Sequence, residues 1–155
     1  MKFSTRSDIE APIGHVFEAV SDFASFERAA MRRGAKVRRV DSQDVRGPGM
    51  VWEAQFPFRG KTREFLIELE DYEAPTEMGI AAKSAGMFAF CDIELIELSP
   101  RKTRMRISLD LKPQTLSARL VIQSLKLAKG RIDRKFQARV EDFAKDVSER
   151  YARVA

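Results

Sequence analysis

The apolar pattern of this 155-residue chain changes period once, at Pro113. From Ala35 to Lys112 large apolar side chains mostly alternate with polar ones in steps of two, which marks strands with one dry and one wet face. Beyond Pro113, Leu125, Ala128, Ile132, Phe136, Val140, Phe143, Val147 and Tyr151 recur in steps of three and four, the stripe of one long amphipathic helix. No other segment is large enough to cover the dry face of a sheet, so the sheet must curl around that helix. A curled sheet gripping a single helix rarely fills its own interior, and a cavity between them is expected.

The strands are legible one by one. Met50, Trp52, Ala54 and Phe56 alternate with Val51, Glu53 and Gln55; Phe65, Ile67 and Leu69 with Glu64, Leu66, Glu68 and Glu70; Met105, Ile107, Leu109 and Leu111 with Arg104, Arg106, Ser108 and Asp110. Turn residues separate them at Arg46–Gly49, Phe58–Lys61, Glu73–Glu77, Ser84–Gly86 and Ser99–Lys102, spacings too short for crossover helices. An earlier strand spans Lys2 to Glu10, with Phe3, Thr5, Ser7 and Ile9 on one face.

Between it and the later strands, Pro12 suits a first helical turn, and Val16, Phe17 and Val20 fall at helical spacing. Ser21 and Asp22 read as two N-capping residues in a row, opening a second short helix that carries Phe23, Phe26 and Ala30 inward and ends near Gly34. The fold class is therefore α+β: a curved antiparallel sheet of about seven strands around a long C-terminal helix, with two short helices between strands 1 and 2. Thr115 or Ser117 is placed to cap the long helix. Its outer face offers the pairs Glu141–Lys145, Asp146–Arg150 and Glu149–Arg153.

Residues 1–155 read as one domain, with no linker, repeat or low-complexity segment. The charged start "MKFSTRSDIE" does not resemble a signal peptide, and no apolar run approaches the about 18 residues that span a bilayer, so a cytoplasmic location is expected. The single Cys91 agrees with a reducing compartment.

The segments "SDIEAPIGHVFEAVSDFASFER", "GPGMVWEAQFPFRGK" and "LDLKPQTLSARLVIQSLKLAKGRIDRKFQARVEDF" resemble the START-like helix-grip superfamily, in particular the bacterial polyketide cyclase/dehydratase-like (SRPBCC) proteins and their lipid- and quinone-binding relatives. The resemblance covers the whole chain and implies a pocket for a hydrophobic molecule rather than a given reaction. The chain departs from that pattern at Gly14, where relatives carry a polar or charged residue; the glycine weakens the first short helix by up to about 1 kcal/mol relative to Ala and makes the helix pair a candidate moving element.

The expected ligand-binding positions are Trp52, Phe56, Phe65, Ile67, Met78, Phe88, Phe90, Met105 and Ile107 on the strands, facing Leu125, Ile132 and Phe136 of the helix. Gly130, inside the helical stripe, fits a bend or close approach beside such a cavity. "GMFAFCDIELIEL" is the least regular strand: either a β-bulge near Cys91-Asp92 switches its faces or both faces are covered. If Phe88 and Phe90 point inward without a bulge, Asp92 follows them and is the one candidate catalytic carboxylate.

His15 precedes inward-facing residues and reads as a boundary side chain, and Ser21 and Asp22 are already accounted for as caps. Metal and cofactor are not expected: one His and one Cys in distant elements supply no ligand set, and "GPG" lacks the helix of a phosphate cradle. The net charge of +5 includes the basic run Arg28, Arg32, Arg33, Lys36, Arg38 and Arg39, of which Arg32, Arg33, Arg38 and Arg39 are the candidates for contact with an anionic membrane surface. Nucleic acid is not an expected partner, because no base-stacking aromatics interleave with these charges.

The leading functional expectation is a binding module for a lipid, quinone or polyketide-like compound. The alternatives are a cyclase, aromatase or dehydratase-type enzyme using the same cavity, without metal, and an adaptor for membrane or protein.

Overall fold

A computed structural model describes every residue except Arg59. Strand β1 (Lys2–Ile9) leads into α1 (Ile13–Val20) and α2 (Phe23–Arg32). Six strands follow: β2 (Lys36–Arg39), β3 (Val51–Phe58), β4 (Lys61–Glu73), β5 (Glu77–Ser84), β6 (Met87–Ser99) and β7 (Lys102–Pro113). The chain then closes with α3 (Leu116–Leu127) and α4 (Lys129–Val154).

Among the described residues the strands form one seven-stranded antiparallel sheet in the order β1-β7-β6-β5-β4-β3-β2. It is a meander in which β1 returns to the edge beside β7. This is the helix-grip arrangement.

In-register neighbours share a face, so the register defines the inside of the sheet. Thr5 stands opposite Ile107, Ile107 opposite Ile93, and Ile93 opposite Met78. On β4 the register shifts between Leu69 and Asp71, and the shift turns Tyr72 inward, where its ring meets Phe17 edge-on at 5.1 Å. The packed core lies at this end: Val16, Phe17 and Val20 of α1 join Leu69, Met78, Leu95 and Met105 of the sheet and Val140, Ala144 and Val147 of α4. The fully buried Thr103 hydroxyl donates to the Ala11 carbonyl at 2.9 Å, so its polar group is satisfied.

Several local features differ from the sequence reading. Ser21 ends α1 instead of opening α2: its hydroxyl donates to the Phe17 carbonyl at 2.7 Å, and only Asp22 caps α2, through the Ser25 N–H. Thr115 caps α3, accepting from the Ala118 N–H. The expected single long helix is two helices, broken at Ala128, whose ψ of 14° leaves the helical range. Gly130 lies in the first turn of α4, where an added Cβ would meet Arg134 at an ordinary 3.5 Å, so it marks neither the break nor a close approach.

The "RGPG" turn belongs to a loop, residues 40–50, organised by Asp41, whose carboxylate accepts from Arg39 and from the Gln43 and Val51 N–H groups. Of the three outer-face pairs, Asp146–Arg150 closes at 3.0 Å and the other two form no ion pair among the described residues. The turn at Phe58–Lys61 includes Arg59, which lies outside the described residues.

Candidate ligand cavity

Past the packed core, between α2, the inner sheet face and the middle of α4, an open cavity of about 530 Å3 remains. The strands supply its floor by parity alone: Val37 from β2; Trp52, Ala54 and Phe56 from β3; Ile67, Ile80 and Ile93 from β4, β5 and β6; Met105 and Ile107 from β7. Helix α4 lays Phe136, Val140 and Phe143 across it at steps of four and three. Helix α2 contributes Phe23, Phe26 and Ala30, and buries none of its own residues fully. Phe26, 45% exposed, faces Phe143 at 6.0 Å between ring centres and narrows the opening between the helices.

Among the described residues, Glu27 and Arg139 are the ionisable groups on the wall. Trp52 donates its indole N–H to Glu27 Oε1 at 2.6 Å, so the indole is anchored polar end outward while its ring packs against Phe23 at 5.2 Å. The Arg39 guanidinium lies 5.8 Å from the Trp52 ring centre and is itself held by Asp41. That guanidinium, with the Val51 and Gln43 N–H groups, keeps the Asp41 carboxyl well below the usual carboxylate range. Arg139 has no hydrogen-bond or ion-pair partner among the described residues. The wall of an otherwise apolar chamber thus carries a hydrogen-bonded carboxylate and, separately, a cation.

Six of the positions expected from the sequence line this chamber: Trp52, Phe56, Ile67, Met105, Ile107 and Phe136. The other six do not. Phe65 is on the inner face but beyond the chamber, stacked on Phe56 at 4.9 Å. Met78, 2% exposed, is packed in the core. Leu125 is half-buried on α3, across the Ala128 break from Phe136, and Ile132 is half-buried on α4 one turn before Phe136, short of the chamber.

Phe88 and Phe90 face the opposite side of the sheet, and Asp92 goes with them. The β5–β6 register runs without interruption from Glu77–Glu94 to Ser84–Met87, so no bulge switches faces at Cys91-Asp92. With Ile93 fixed on the cavity wall, strict alternation sends residues 88, 90 and 92 outward. Lys112 lies over the Phe90 ring at 5.3 Å, and Asp92 stands opposite Gly79 and Ser108. The inward residue is Cys91, between Ile80 and Leu109; burial, reinforced by the Asp92 charge, pushes its thiol up to about 11.

The wall residues absent from the expected set are chiefly Phe23, Phe26, Glu27 and Ala30 of α2, and Ala54, Ile80, Ile93, Arg139, Val140 and Phe143. Helical and strand parity carried the signal for most of them; nothing in the sequence singled out Glu27 or Arg139.

His15 is half-buried outside the chamber, edge-on to Tyr151 at 5.1 Å. Arg46 donates to the Ser21 carbonyl and hydroxyl and to Glu18, so Ser21 is wholly engaged. Arg38 pairs with Glu53 and Arg39 with Asp41, whereas Arg32 and Arg33 are exposed at the end of α2. The four arginines therefore do not form one run of free cations. Among the described residues no three His, Cys, Asp or Glu side chains group as a metal set, and no helix is long and apolar enough to cross a membrane.

These features define a helix-grip protein with an apolar chamber between sheet and C-terminal helix. Residues 1–148 match the model of the family described as "Polyketide cyclase / dehydrase and lipid transport", and the chain belongs to that family. No curated sequence matches it.

Similar solved structures include the Zhui aromatase/cyclase from Streptomyces sp. R1128 (TM-score 0.70, 11% identity, covering 97% of this chain and 94% of that one). A Thalictrum flavum norcoclaurine synthase point mutant in complex with a transition-state analogue is also similar (0.67, 11%, 97% and 95%). So is the protein TTHA0849 from Thermus thermophilus (0.65, 12%, 100% and 99%). At these identities the likeness is one of fold.

Proposed function

We propose that this protein binds a hydrophobic small molecule, lipid-, quinone- or polyketide-like, inside the chamber, with Glu27 and Arg139 available to its polar groups. The observation that carries the reading is the chamber itself: about 530 Å3, within the about 300–1,000 Å3 of small-molecule sites, and lined by apolar side chains apart from Glu27 and Arg139. Each ligand methylene moved from water into such a wall contributes about 0.8 kcal/mol. The family description and the two similar enzymes of small-molecule chemistry support a small-molecule occupant.

N-phenyl-1-naphthylamine, an uncharged probe that fluoresces in apolar surroundings, is expected to bind one-to-one. Ala54→Phe, which projects a ring from β3 into the chamber, is expected to weaken binding at least about tenfold without lowering the melting temperature, because the ring enters open space rather than a packed core. A wild-type protein that leaves the probe dark overturns the reading.

A second reading, a cyclase, aromatase or dehydratase-type enzyme, rests on Glu27, the carboxylate that reaches the wall. Under it, Glu27→Gln abolishes turnover of a compound that the variant still binds.

A further inference from the structure

Helix α3 is amphipathic in an unusual sense. Its inner side is accounted for, with Ala118 and Ile122 buried and Leu125 half-buried. Its outer side carries a second apolar row: Leu116 is 74%, Leu120 63% and Leu127 92% exposed. Spaced four and seven apart, these three leucines fall within about 40° of one another around the helix. Single exposed leucines need no explanation, but three in a line, uncovered by any of the described residues, mark a contact surface.

The charges around the row identify what it contacts. From Leu111 to Ile132 the sequence has no Asp or Glu and holds five cations, Lys112, Arg119, Lys126, Lys129 and Arg131. Lys129 is engaged by Asp133 at 3.0 Å and Lys112 lies near Asp110 at 3.9 Å. Arg119, Lys126 and Arg131 have no ion-pair partner among the described residues. Arg119 and Lys126 are seven residues apart, so they project along the same flank of the leucine row. A leucine stripe beside Arg119 and Lys126, in a segment without acids, complements a surface that is apolar beneath and anionic on top.

We propose that α3 docks on the surface of an anionic lipid bilayer, with Leu116, Leu120 and Leu127 entering the interface and Arg119 and Lys126 meeting lipid phosphates. The helix lies in the plane of the surface and does not span it; interfacial helices of this composition bury their apolar side about 5–10 Å deep. The leucines supply adhesion and the cations supply dependence on anionic lipid. This surface is separate from the chamber, and the proposal stands whether or not the chamber is occupied.

Co-sedimentation with phosphatidylcholine vesicles, with and without one-third phosphatidylserine, tests it. Wild-type protein is expected to pellet with the phosphatidylserine vesicles and to be released by high salt. Arg119→Gln/Lys126→Gln is expected to weaken binding roughly 10- to 30-fold, from about 1 kcal/mol for each basic residue near the surface. Leu116→Gln/Leu120→Gln/Leu127→Gln is expected to abolish it. All five side chains are on the outer side of α3 or at its end, so an unchanged circular dichroism spectrum and melting temperature serve as the folding control.

Arg32→Gln/Arg33→Gln is expected to bind like wild type. Three outcomes overturn the proposal: no binding to phosphatidylserine vesicles, binding that survives the leucine variant, or a concentration-dependent dimer that the leucine variant dissociates, which would make a second copy the occupant of the stripe.

Discussion

At the scale of single residues, the wall of the chamber is decided by alternation. Cys91 and Ile93 point inward because β6 pairs with β5 and β7 without interruption from Met87 to Glu94, and that same parity puts Phe88, Phe90 and Asp92 outside. The sequence around them is apolar at every position from Met87 to Cys91, so its pattern does not say which face is dry. Pairing partners, which are non-local, settle it.

Cys91 has a chemical consequence. Its thiol, pushed up to about 11 by burial, stays protonated at neutral pH and is a poor nucleophile. Iodoacetamide at pH 8 is expected to leave Cys91 unmodified in the folded protein over a period in which the denatured chain is fully alkylated; equal rates would contradict its inward position. The raised value also fixes a sign: ionisation is disfavoured in the folded state, so the associated stability is present below the ordinary thiol pKa and is lost as pH rises towards about 11.

At the scale of elements, most strands and the two short helices were legible because they have a clean period and a recognisable stop. Trp52, Phe56, Ile67, Met105 and Ile107 follow from strand parity, and Phe136 from the helical stripe. The division of the last helix at Ala128 was not legible, since alanine is the best helix former and the steps of three and four continue across it. The break reflects tertiary packing: α3 seats Ala118 and Ile122 by contact with β7, while α4 packs along β1 and the core.

The two short helices also differ more than their sequences suggest. Helix α1 is pinned by buried Val16, Phe17 and Val20 even though it carries Gly14, whereas α2 has no fully buried residue and roofs the chamber. The weaker burial makes α2, rather than the pair, the candidate moving element. Amide hydrogen exchange is expected to be faster in residues 23–32 than in residues 13–20, and addition of N-phenyl-1-naphthylamine is expected to slow α2 selectively. Equal protection of both helices, unchanged by the probe, would contradict a lid role for α2.

At the scale of the whole molecule, one sheet face has to serve two purposes. Near α1 it is packed against α1 and the latter part of α4, and nearer β2 and β3 it is left open under α2. The chamber exists because a twisted sheet of seven strands exposes more apolar surface than α1 and α4 together cover. That much follows from the period change at Pro113. The two charges on its wall do not, because Glu27 and Arg139 come from separate helices and meet the chamber only through the fold.

Enclosure of a hydrophobic molecule is the central claim, and native mass spectrometry of the protein purified without detergent from its source cells tests it most directly. The account predicts a population heavier than the bare chain by a discrete small-molecule mass, which organic denaturation removes and Ala54→Phe reduces. A bare mass in every preparation, from a protein that also takes up no added N-phenyl-1-naphthylamine, would contradict it.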